Sequence, residues 1–307
     1  MAFCLLVCCA TAGTVFPQNP QSESRGIVAE EFIKNRPEAA SPGGGPVSTE
    51  PPASAPKKTA ARNVKKPAYK LAGTPRKSSG PPAKSNLEQL GITLWRLRPA
   101  RQGDSGARMF VMDASGEWVP ERIEVDTPIK FGDRVRISIE ATRAGYLYVV
   151  DRETYADGSK GEAYLIFPTV RTRSGDNQVR PGKLFDIPAQ DDDPKYFNAT
   201  RNRPDQTGEL LSILITASPL DLPITDKPLK ISDSNIAEWE MAWSEEAERF
   251  EMTGGAGQAW TKEEKEAGAS KSTRQLTRDE PPPQTIYRIF PRSKTAFLVN
   301  VRLSYAK

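Results

Sequence analysis

After Cys9 the chain contains neither a cysteine nor a histidine. Whatever the following residues fold into must stand without a disulfide framework and without a Cys/His zinc site, on the burial of its own apolar surface. The same gap removes classes of chemistry. A Ser-His-Asp or Cys-His nucleophile system has no residues to build it. The side chain that most often serves as general base near neutral pH is missing. No serine stands in a Gly-x-Ser-x-Gly elbow. The 307 residues are enough for one large domain or two small ones. A domain of about 220 residues buries roughly 70% of its unfolded surface and needs no covalent staple.

Apolar residues of a suitable pattern begin near residue 89. Thr93, Trp95 and Leu97 alternate with Ile92, Leu94 and Arg96. Val135, Ile137 and Ile139 alternate with Arg134, Arg136, Ser138 and Glu140, which predicts a half-buried strand with one wet face. Gly145 to Val150 is apolar or aromatic on both faces and predicts a central strand. Asp157-Gly158 is a turn signal, and Ala163 to Phe167 reads as the returning strand. Lys183 to Ile187, Glu209 to Ala217, Thr285 to Phe290 and Ala296 to Tyr305 add four more. Ile236, Trp239, Trp243, Ala247 and Phe250 recur at helical steps, with Asn235 and Glu238 placed as an N-cap and capping box and Gly254-Gly255 as the stop. Trp239 and Trp243 are read as packing the helix on a sheet, with a sugar-stacking platform as the alternative. Residues 254–283 are polar and read as a mobile loop. The expected fold is mainly β: an antiparallel β-sandwich with Greek-key-like connections and one inserted amphipathic helix, folding alone over residues 89–307.

The segment before it is of another kind. Phe3 to Ala10 is an apolar run too short to span a bilayer, and Ala10-Thr11-Ala12 supplies a small-x-small cleavage pattern. Residues 1–12 therefore read as a secretory signal peptide. No basic residue precedes the apolar run, which a start codon placed too late would explain. Cys8 follows Leu5-Leu6-Val7, a lipobox-like setting, but Val7 is not the small residue such a site wants, so soluble export is preferred to a lipoprotein. Residues 13–88 are rich in Pro, Ala, Ser, Gly and Lys and read as a disordered linker, with Ile27 to Ile33 as a transient helix. From Lys57 to Lys84 lie nine basic residues and no acid. This arm reads as an extended linker, or alternatively as an element that contacts an anionic envelope surface. No nucleic-acid partner and no transmembrane segment are expected.

The stretch FGDRVRISIEA from Phe131, then GYLYVVDRE, AYLIFPT, DNQVRPGKLFDIP and Thr207-Gly208-Glu209 resembles the bacterial family called domain of unknown function 4384. The likeness covers most of Leu94 to Leu222, and Pro282 to Tyr287 and the last strand are similar as well. Ile166 stands where the family usually has Leu, and the insert with the Trp helix departs from its shorter forms. The resemblance implies an exported or envelope-associated β domain and no established activity.

Candidate polar groups are few. Asp191-Asp192-Asp193 reads as a solvated turn before it reads as a Ca²⁺ site. Asp151, Glu153, Asp157 and Glu162 flank the Asp157-Gly158 hairpin, where acids mostly face water; a carboxylate pair for glycoside hydrolysis is the alternative. Tyr146, Tyr148, Tyr155 and Tyr164 fit cross-strand pairing. No catalytic, cofactor-binding or metal-binding residue is assigned, and no cofactor. The expected function is a non-catalytic binding or interaction module of the bacterial cell envelope, periplasmic or at the cell surface. The alternative is a carboxylate-based hydrolase of envelope polysaccharide.

Overall fold

The structure, a computed structural model, describes residues 20–39, 87–102, 104, 111–113 and 116–306. The expected signal peptide, with Cys8, and the Lys57–Lys84 arm lie outside the described residues. The described residues form three α-helices, α1 (Pro20–Lys34), α2 (Asp233–Trp243) and α3 (Lys262–Gly268), and fourteen strands. The longer strands are β1 (Glu88–Pro99), β3 (Gly116–Ile123), β4 (Arg134–Ala141), β5 (Gly145–Tyr155), β6 (Ala163–Phe167), β10 (Gln206–Thr216), β12 (Ala247–Glu251), β13 (Thr285–Ile289) and β14 (Ala296–Ser304). The shorter ones are β2 (Val111–Asp113), β7 (Gln178–Val179), β8 (Phe185–Ile187), β9 (Phe197–Asn198) and β11 (Leu229–Ile231).

Two antiparallel sheets result. In the larger, β12-β13-β1-β3-β2 run side by side, and β4 pairs with β1, β8 and β9. In the smaller the order is β11-β6-β5-β10-β14, with β7 on β5. Alternation places Ile92, Leu94, Ile137 and Ile139 of one sheet against Leu147, Val149, Ile213, Ile215, Val299 and Val301 of the other in one continuous core. This is the layered, mainly antiparallel arrangement expected. Asp157-Gly158 does turn β5 back into β6: Gly158 has φ +82, and Val150 faces Leu165. The β5 strand is central, between β6 and β10.

Several expectations are corrected, most of them because tertiary partners override a local pattern. The face of β4 expected to be wet is buried: Arg136, Ser138 and Glu140 are 1–2% exposed. They lie under a cover drawn from the segments read as a mobile loop and a disordered tail. Within 254–283, Trp260 packs on Trp95 with centroids 5.9 Å apart, and α3 starts at a complete Thr261–Glu264 capping box. Glu264 forms a buried ion pair with Arg122. Trp95 Nε1 donates to Ser138 Oγ at 2.7 Å, Ser138 Oγ donates to Asp186 Oδ1 at 2.6 Å, and Gln190 Nε2 donates to Asp186 Oδ2 at 2.8 Å. Such a satisfied network makes burial of this polar face tolerable.

Helix α1 lies inside the segment expected to be a disordered linker, yet it belongs to the packed body. Val28 and Phe32 are buried against Met252 and Ile286. Just after the helix, Arg36 holds Glu140 through two hydrogen bonds of 2.8 Å, both side chains 1% exposed. Three carbonyls, of Thr277, Glu280 and Pro281, accept from the same guanidinium. Gly91 makes room for the contact, since a Cβ there would meet Pro283 at 2.2 Å and Phe32 at 2.7 Å.

The inserted helix starts a turn earlier than expected, because Ser232 is itself a good cap and accepts from the Asn235 N–H at 3.2 Å. It also stops at Trp243. Ala247 and Phe250 instead lie on β12, which supplies the backbone partners that the β13 edge needs. Trp239 and Trp243 stack at 6.3 Å and pack the helix on the outer face of the smaller sheet, beside Ile231, Ile236 and Leu298.

Candidate functional site

Along the smaller sheet the core-facing positions change character toward one end. On β5 they read Leu147, Val149, Asp151, Glu153; on β10, Ile215, Ile213, Leu211, Glu209; on β14, Val299, Val301, Leu303 and, just past its end, Tyr305. The period of two that buries the aliphatic residues carries the acids into the same interior space. Register makes them neighbours: Asp151 faces Leu211, Glu153 faces Glu209, and Glu209 faces Leu303.

Here the sheets enclose a cavity of about 810 Å³. Its floor is aliphatic, with Leu94, Ile123, Ile137 and Leu211. Its rim carries Tyr155, Glu162 and Tyr164 on one side and the segment Phe197 to Arg203 on the other. The size and the mixture of an apolar floor with a few polar groups suit a small-molecule site.

The acids differ in their partners. Glu153 accepts from the Tyr155 hydroxyl and from Asn202 Nδ2. Glu209 Oε1 accepts from Tyr305 Oη and Gln206 Nε2, each at 2.8 Å. Asp151 Oδ1 and Glu209 Oε2 are shut off from solvent, and no hydrogen-bond donor among the described residues reaches them. Among the described residues, none of Asp151, Glu153 and Glu209 has an ion-pair partner. Arg152, next in the chain, points to the other face and pairs with Asp233 at 2.9 Å. The Arg203 guanidinium lies 3.7 Å from the Tyr155 ring centroid and pairs with Asp205.

Burial therefore dominates the proton affinity. It pushes the Asp151 carboxyl up to about 7, helped by the charge of Glu153 and opposed by a backbone hydrogen bond. Burial raises Glu209 to about 8, with the charges of Asp151 and Glu153 adding to the effect and the bonds from Tyr305 and Gln206 opposing it. Asp151 and Glu209 titrate as a coupled pair and hold a proton near neutral pH. Burial and the Glu209 charge also raise the Tyr305 hydroxyl, which stays a donor. An uncharged acid beside an ionised one can give and take a proton or meet a cation.

The hairpin acids thus separate. Asp151, Glu153 and Glu162 line the cavity, whereas Asp157 caps its own turn by accepting from Ser159. Of the four tyrosines, Tyr155 and Tyr164 reach the rim; Tyr148 is buried on the opposite face, where its hydroxyl accepts from the Leu220 N–H. The three consecutive aspartates do not form a cation cradle. Asp191 accepts from Ser270, and Asp192 from Thr172 Oγ1 and the Ala189 N–H. Among the described residues no group of three acidic side chains converges to hold a metal ion. Glu209 and Tyr305 were not singled out from sequence. The signal was their parity with Ile213 and Leu303, readable once the strands' inward faces are assigned.

Residues 129–213 match the model of the family described as domain of unknown function (DUF4384). The matched stretch contains Asp151, Glu153 and Glu209, while α1, α2, α3 and Tyr305 lie outside it. No curated protein matches the chain, and no solved structure does.

Proposed function

We propose that this protein is a binding module of the bacterial cell envelope, exported to the periplasm or cell surface, and that it takes a small ligand into the cavity at the acidic end of the sandwich. The observation that carries this reading is the cavity itself: about 810 Å³ between two well-packed sheets, with two solvent-shielded carboxylate oxygens that no donor among the described residues satisfies. A buried polar atom left without a partner costs about 1–3 kcal/mol, so it is a feature that a ligand's donors would repay. The leader-like first twelve residues support export. No helix among the described residues is long and apolar enough to cross a membrane.

The test is a thermal-shift survey of small amphiphiles and sugar fragments on the intact protein and on Leu303→Trp, which adds bulk to the cavity lining. Circular dichroism confirms that the variant is folded. Ligands that raise the Tm of the first and not of the second support the reading. A survey with no shift, or equal shifts in both proteins, overturns it.

A second reading, a carboxylate hydrolase of envelope polysaccharide, is favoured by one observation: Asp151 and Glu209 both hold their protons to unusually high pH, as a general acid must. Release of reducing ends from wall polysaccharide, lost in Glu209→Gln, would establish it in place of simple binding.

A further inference from the structure

We propose that the cavity selects organic cations, a primary ammonium on an apolar body, with the ammonium seated between Asp151 and Glu209. This rests on the binding-module reading and names its ligand class. Asp151 and Glu209 are diagonal neighbours on one face of an antiparallel pair, a spacing of about 7–8 Å between Cα atoms. A single ammonium nitrogen can reach both carboxylates across that gap, at about 2.8 Å from each. Asp151 Oδ1 and Glu209 Oε2, without donors among the described residues, are the acceptors it would find.

The charges around the space favour a cation. Asp151, Glu153 and Glu209 lack ion-pair partners among the described residues, and Glu162 at the rim is held by Lys230. The basic groups lining the cavity are engaged or peripheral. Arg136 is bound by Asp186 and the Pro188 carbonyl, Arg203 by Asp205, and Lys227 is exposed at the edge. An ammonium has three donors, and the Glu153 carboxylate, which faces Glu209 across the strand pair, lines the same space. The aliphatic floor of Leu94, Ile123 and Ile137 accepts the hydrocarbon portion. A metal ion does not fit, since no three acidic groups converge among the described residues. Cation binding would also give these buried acids a counter-charge, with the ligand displacing a proton that burial holds on them.

The experiment is calorimetric titration of the intact protein with three probes of one body size: n-hexylammonium, hexan-1-ol and hexanoate. Each is run at about pH 6 and at about pH 8, in two buffers of different ionisation enthalpy. Hexylammonium keeps its charge throughout. It should bind at least about tenfold more tightly than hexanol. Hexanoate should bind more weakly than either. Hexylammonium binding should release protons and strengthen toward pH 8. In Asp151→Asn and Glu209→Gln the ammonium-to-alcohol ratio should fall toward one. Equal affinity for ammonium and alcohol, or preference for the carboxylate, overturns the cation inference and leaves the binding reading intact. Binding of none of the three also overturns the cation inference, and the thermal-shift survey then decides the binding reading by itself.

Discussion

Replacing Asp151 with asparagine should stabilise the protein at pH 8 and change little at pH 4. The reason is the free energy of holding a carboxylate in the cavity. An ordinary aspartate carboxyl has a pKa of 3.8, and burial raises that of Asp151 to about 7. The sign follows from linkage. The folded state keeps a proton that the unfolded chain releases, so the contribution is fully favourable below the unfolded value and is lost as pH rises through the folded one. Native stability should therefore fall between about pH 4 and pH 8, by at most about 1.4 kcal/mol per pH unit for each proton involved. A shift of about three units amounts to roughly 4 kcal/mol at the top of the range, and water entering at the open rim reduces this to about 2–4 kcal/mol. Asparagine keeps the size and has no charge to bury, so the variant should recover most of that difference. Glu209→Gln should behave alike, and the double variant should gain less than the sum because the Asp151 charge is part of what raises Glu209. Urea denaturation followed by circular dichroism at pH 5 and pH 8 measures all four proteins. Wild-type stability that does not fall with pH, or an Asp151→Asn protein less stable than wild type at pH 8, would refute the reasoning. The chain has no histidine, so the response has no imidazole to come from.

Deleting residues 1–39 should cost about 3–5 kcal/mol in denaturant unfolding, because Glu140 loses Arg36 and stays buried without a counter-charge. Adding Glu140→Gln to that deletion should restore part of the loss; unchanged stability on deletion would show that α1 is not held by this pair. Gly91→Ala should destabilise by about 1–3 kcal/mol, since its Cβ meets Pro283 and Phe32, and a neutral effect would mean that the helix yields freely. Removing residues 57–84, with their nine basic side chains, should abolish co-sedimentation with anionic vesicles at low salt. The full-length protein should itself be released at about 1 M salt, where the Debye length is about 3 Å. Equal binding by both proteins would refute a role for the arm.

Strands were legible from two signals: β4 and β14 stand on apolar–polar alternation visible in the chain, and β5 and β10 on continuous apolar runs. The covering layers were not. Arg136, Ser138 and Glu140 look like a solvent face because sequence shows polarity and not the partners that arrive from Arg36, Asp186 and the region around α3. Helix α1 has only a short apolar stretch, and its place depends on the notch at Gly91 and on an ion pair across 104 positions of chain. Ala247 and Phe250 fit a helical spacing and a strand equally well, and pairing with β13 decides the matter. Half of the site was visible, as acids flanking a hairpin. Their burial was not, because the cavity is closed by Phe197 to Arg203 and by Glu209 and Tyr305 on strands distant in sequence.

Asp151 and Glu209 form a buried acid pair that lacks a counter-charge among the described residues. Side-chain ¹³C carboxyl NMR across a pH titration reads this directly, with Asp151→Asn and Glu209→Gln assigning the signals. At least one apparent pKa of the pair should lie above about 6, well over the ordinary carboxylate range, and should fall when its partner is neutralised. Two independent titrations near pH 4 would contradict it.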